Sequence, residues 1–66
     1  MQKYNITISF IYETKNGMIR KQDYKTIIEN LQEYNAAEDI QARTAKLLND
    51  GAIRPYFKAI TIKPTL

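Results

Sequence analysis

The 66-residue chain contains no cysteine and no histidine. Without cysteine there is no disulfide and no thiol nucleophile. Without histidine there is no side chain suited to general-base work at neutral pH. Together these absences exclude Cys/His zinc centres and most transition-metal ligand sets. Glycine occurs only at positions 17 and 51, too far apart to build a phosphate-cradling loop. No apolar run approaches the roughly 20 residues that cross a bilayer. The N-terminus lacks a basic stretch followed by an apolar one, so no secretory leader is expected. A cysteine-free chain fits a cytoplasmic location, where the acceptor pattern Asn5-Ile6-Thr7 has no meaning for glycosylation.

The remaining groups give catalysis little to work with. Ser9 lies in a strand-like segment with no base in sequence reach. Glu38 and Asp39 are adjacent and occupy different helix positions, whereas Glu29 and Glu33 share a face only if 27–34 is helical. The reading is therefore no catalytic residue, no metal site, no cofactor site and no enzyme.

What is present is a strict alternation. Tyr4, Ile6, Ile8, Phe10 and Tyr12 fall on one face, and Asn5, Thr7, Ser9, Ile11 and Glu13 on the other. Period two predicts a half-buried strand over about 3–13. Lys15-Asn16-Gly17 then closes a hairpin, by a two-residue type I′ turn or a three-residue loop with a glycine bulge. Strand two starts at Met18, and Ile19-Arg20-Lys21-Gln22-Asp23 reads as an edge protected by charge.

Residues 24–35 allow two readings. They continue the strand, with Tyr24, Thr26 and Ile28 on one face, or form a short helix presenting Ile27, Leu31 and Tyr34 behind a Thr26/Glu29 capping box. They do not join the helix that follows, because Ile27, Leu31 and Tyr34 point about 150° away from Ala37, Ile40, Thr44, Leu47 and Leu48. Asn35 is a good N-cap for a helix over 36–49, with Glu38 and Asp39 in its first turn and Lys46 near its end. Asp39 and Arg43, four residues apart, can pair. Gly51 suits the left-handed residue after the helix, and Pro55 blocks continuation. The last strand is placed at about 56–63.

These elements predict one domain over 1–66, an α+β fold of ββαβ type. Its three-stranded antiparallel sheet has order 2-1-3 and one main helix on one face. Ile6, Ile8, Phe10, Ile60 and Ile62 are expected to face Ile40, Leu47 and Leu48. The open face would carry Thr7, Ser9, Ile11, Phe57, Ala59 and Thr61. A domain this small buries about 60% of its unfolded surface. Tight packing and self-association are the supplements left to it, so a homodimer, or a protein that docks on something larger, is expected.

The pattern YNITISFIYETKNGMIRK … NAAEDIQARTAKLL … YFKAITIKP resembles the small ββαβ proteins of phages and mobile elements: a hairpin, an Ala-rich amphipathic helix and a closing strand. The likeness is one of pattern, and no functional residue carries over. Residues 24–35 are longer than that pattern needs. The resemblance implies an inhibitor or regulator, such as an anti-defence protein, acting by contact with a large host complex.

Two binding classes follow. The first is protein–protein interaction through the open sheet face and strand edges, with Ile11, Arg20, Lys21, Arg54, Tyr56 and Phe57 as contact candidates. The alternative is a nucleic-acid-binding accessory protein. The net charge is +3, with basic flanks around an acidic middle. Lys15, Arg20, Lys21, Lys25, Arg54, Lys58 and Lys63 could line a basic edge or face, with Tyr24, Tyr56 and Phe57 interleaved to stack single-stranded bases. That charge is modest for phosphate binding.

Overall fold

The computed structural model describes residues 2–65. Strand β1 spans Tyr4–Glu13 and strand β2 Ile19–Ile28; helix α1 spans Ala36–Asn49 and strand β3 Ile53–Pro64. The strands form one antiparallel sheet of order β2-β1-β3. The ββαβ arrangement read from the alternation is the observed one.

The hairpin settles on the three-residue loop. Thr14 N donates to Met18 O at 2.8 Å, Gly17 N donates to Thr14 O at 2.9 Å, and Gly17 has φ +81°. Asn16 keeps a negative φ, which rules out the type I′ turn that needs two positive values. Met18 N, left without a backbone acceptor, donates to Thr14 Oγ1 at 3.1 Å. The loop fixes the register: Phe10 faces Gln22, Ile8 faces Tyr24 and Tyr4 faces Ile28.

Of the two readings of 24–35, strand continuation is correct through Ile28, and a single 3-10 turn at Leu31–Glu33 follows. Tyr24, Thr26 and Ile28 share the helix side of the sheet, so period two wins over the helical stripe. Asn35 caps α1, its Oδ1 accepting from Glu38 N at 3.1 Å. The helix ends in a Schellman arrangement. Ala52 N donates to Leu47 O at 2.9 Å and Gly51 N to Leu48 O at 3.1 Å, with Gly51 at φ +97°.

The fully enclosed core is small: Ile6, Ile8, Phe10 and Leu47. Tyr24 and Phe57 meet the Phe10 ring edge to face, with centroids 5.9 and 6.1 Å away, and Ile40 and Ile60 pack around it. Two expected core positions differ. Leu48 is 54% exposed and Ile62 41% exposed. Leu47 and Leu48 are 100° apart on the helix, and a single helix on a three-stranded sheet encloses only the narrower stripe centred on Leu47.

β3 differs most from expectation. It starts at Ile53, not at 56, and its register on β1 breaks twice. Ser9 faces Ala59 but Phe10 faces Phe57, leaving Lys58 as an extra residue. Ile11 faces Tyr56 but Glu13 faces Ile53, leaving Arg54 and Pro55 opposite Tyr12. Bulges of this kind reverse which side chains reach which face. Phe57 therefore lies on the helix side, not on the open face where unbroken alternation puts it, and Tyr56 takes the open face.

Candidate protein-contact surface

The register defines the open face. Running from β2 across β1 to β3, its rows are Ile27–Asn5–Lys63, Lys25–Thr7–Thr61, Asp23–Ser9–Ala59, Lys21–Ile11–Tyr56 and Ile19–Glu13–Ile53. Three rows are mainly polar. The two nearest the hairpin hold four apolar side chains, Ile11, Ile19, Ile53 and Tyr56, around one carboxylate. Ile19 is 66% and Tyr56 65% exposed. Glu13 sits between Ile19 and Ile53, and its Oε1 lies 3.8 Å from Arg54 Nη1, a loose and exposed ion pair.

The backbone beside this cluster is strained. Arg54 is the one non-glycine residue with positive φ among the described residues, at +50°. A branched chain at Cβ is disfavoured there, and even an unbranched one costs about 1–2 kcal/mol. The strain lets Pro55, which has no N–H to give, occupy the bulge, and it aims Tyr56 outward from its row with Ile11.

The sequence-derived contact residues divide between faces. Ile11, Lys21 and Tyr56 share one row of the open face. Arg54 borders it. Arg20 stands opposite Tyr12 on the helix side, where its Nη2 is 3.9 Å from Met18 Sδ. Adjacent strand residues point to opposite faces, so Arg20 and Lys21 do not act on one surface. Phe57 belongs to the core. Ile19 and Ile53, not among the residues expected from the sequence, complete the cluster. Ile19 was readable as the residue two before Lys21, in phase with the row of Ile11. Ile53 lay outside a strand begun at 56.

The nucleic-acid candidates spread out. Lys21, Lys25 and Lys63 lie on the open face, with Asp23 between the first two. Lys15 lies at the turn with its Cε stem against Gly51, and Lys58 is the extra residue of the first bulge. Of the aromatics meant to interleave with them, Tyr24 and Phe57 contact Phe10 on the other side of the sheet. Tyr56 alone shares the face with the three lysines.

The helix side holds a polar chain that is structural in character. Tyr34 donates its hydroxyl to Asp39 Oδ2 at 2.6 Å, and Arg43 Nε donates to Asp39 Oδ1 at 3.2 Å. The Arg43 guanidinium then lies 4.9 Å above the Tyr24 ring, a cation–π contact. Burial, then the hydrogen bond to the Asp39 carboxylate, pushes the Tyr34 phenol up to about 12. Burial and the negative charge of Asp50 raise Tyr24 as well, opposed by Arg43. Asp39 is thus engaged by two partners, joining the turn before α1 to the helix, and Arg43 carries this chain on to Tyr24 of β2.

Among the described residues, no helix is long and apolar enough to cross a membrane. The chain matches no protein-family model, and no curated protein and no solved structure is significantly similar to it.

Proposed function

We propose that the protein is a non-enzymatic binding protein whose contact surface is the hairpin end of the open sheet face. The observation that supports this is the cluster of Ile11, Ile19, Ile53 and Tyr56, uncovered by α1, grouped around Glu13 and flanked by Lys21 and Arg54. Apolar side chains gathered on one exposed surface beside charged groups, with an exposed Tyr among them, have the composition of a protein interface. The strained Arg54 adds to this reading, since a folded chain keeps such backbone where surrounding structure holds it for a purpose. The pattern-level likeness to small phage and mobile-element proteins extends the proposal to an inhibitor or regulator that works by occupying a partner's surface.

Paired affinity capture from the native host tests it. Wild type and an Ile19→Lys/Tyr56→Asp variant serve as baits, with circular dichroism confirming that both are folded. The expected result is a discrete protein retained by wild type and lost from the variant. Equal capture by both baits, or retention of oligonucleotides that weakens steeply with salt, would contradict the assignment.

A further inference from the structure

The sheet has two edges, and they are treated differently. The β3 edge carries Pro55 and two bulges, devices that stop another strand from adding. The β2 edge has neither, and charge is its only protection. From Ile19 to Ile28 it contains no proline, no glycine and no break in its pairing with β1. Thr14 and Met18 form a hydrogen-bonded pair, and such pairs alternate along an antiparallel ladder. The even-numbered residues of β2 therefore bond to β1. The main-chain groups of Ile19, Lys21, Asp23, Lys25 and Ile27 point outward, unpaired by β1.

The charges on those outward residues alternate in sign: Lys21, Asp23, Lys25. All three are exposed, and none makes an ion pair within the chain among the described residues. An edge protected by repulsion alone would carry one sign. Alternating signs repel a second copy in one register and attract it in the next. Antiparallel pairing centred on Asp23 sets Asp23 against Asp23 and Lys21 against Lys25, which is unfavourable. Sliding by one pairing step, so that Tyr24 faces Tyr24, sets Asp23 against Lys25 on both sides of the two-fold axis. This register also pairs residues 20–28 of one copy with 28–20 of the other, nearly the whole strand. It brings the aliphatic stem of Lys21 onto Ile27, which is 61% exposed in the single chain. The slide in the opposite direction, centred on Gln22, also joins opposite charges but pairs only 19–25 and leaves Ile27 uncovered.

We infer that two copies of this chain join through their β2 edges, in the register that places Asp23 opposite Lys25. The product is a continuous six-stranded sheet with both helices on one side and both open faces on the other. This interface is isologous and shares Lys21 with the rim of the proposed partner surface, while Ile19 lies beyond the paired span.

Charge reversal tests both the dimer and its register, using exposed residues whose neighbours on β1 are the uncharged Thr7 and Ser9. Sedimentation equilibrium at low salt should show a dimer for wild type. Asp23→Lys and Lys25→Asp should each raise the dimer dissociation constant by a factor of roughly ten to a hundred, since each change meets its like charge twice. The double variant Asp23→Lys/Lys25→Asp should recover the wild-type value. A wild type that stays monomeric at the highest soluble concentration overturns the proposal. So does a dimer indifferent to Asp23→Lys. Recovery by Lys21→Asp/Asp23→Lys in place of the first double variant overturns the register.

Discussion

Phe57 meets Phe10 edge to face on the helix side of the sheet, while Tyr56 beside it is 65% exposed on the opposite face in the row of Ile11. Neighbouring aromatics thus have separate jobs. Phe57→Ala should destabilise the fold by about 2–4 kcal/mol, somewhat below the cost at a fully enclosed site. Tyr56→Ala should change stability by no more than about 0.5 kcal/mol. Urea titration of the two variants checks this, with the midpoint of Phe57→Ala falling far more than that of Tyr56→Ala.

Arg54 holds a left-handed backbone ahead of Pro55, at φ +50°. Glycine tolerates that region freely, whereas a β-branched residue is strained there. Arg54→Gly should therefore be more stable than Arg54→Val by about 1–2 kcal/mol. The lost ion pair to Glu13 is common to both variants and cancels in the comparison. Thermal unfolding of the pair reads the difference directly.

Much of the fold is legible in the sequence, because period-two alternation in β1 and the capping residues Asn35 and Gly51 are local signals. The bulges at Lys58 and at Arg54–Pro55 are not. Each inserts residues opposite a single partner on β1, and the pattern YFKAITIK carries no mark of where the phase changes. Unbroken alternation therefore puts Phe57 on the wrong face and leaves Ile53 outside the strand. The end of β2 was ambiguous for a different reason: Ile27, Leu31 and Tyr34 satisfy a helical stripe while Tyr24, Thr26 and Ile28 satisfy a strand. Pairing with Tyr4, Ile6 and Ile8 decides it, a contact made across more than 15 residues of chain. Of the contact surface, Ile11, Lys21 and Tyr56 were readable and their grouping into one row was not.

The Tyr34 phenol ionises near about 12 in the folded chain against 10.0 ordinarily. A raised folded value means that the native state keeps its proton longer. The stabilisation is fully present below pH 10 and is lost as pH rises through about 12. Stability should therefore fall over that window, and Tyr34→Phe should make the fall shallower. Denaturant titrations at stepped pH on wild type and variant measure it.

Gly51, at φ +97°, closes the Schellman cap through its own N–H and positions that of Ala52. Gly51→Ala should cost about 1 kcal/mol from backbone strain. An added Cβ meets only the Lys15 Cε at 3.6 Å, an ordinary contact, so crowding adds little. A loss well above that in chemical denaturation would mean that the turn into β3 bears more of the fold than its hydrogen bonds indicate.

The most direct measurement is a methyl chemical-shift map of the isoleucines with the captured partner bound. The account predicts large shifts at Ile11, Ile19 and Ile53, and small ones at Ile6, Ile8 and Ile60 beneath the helix. Ile11, Ile19 and Ile53 unmoved in the bound state, with shifts only at helix-side methyls such as Ile40 and Ile60, would contradict it.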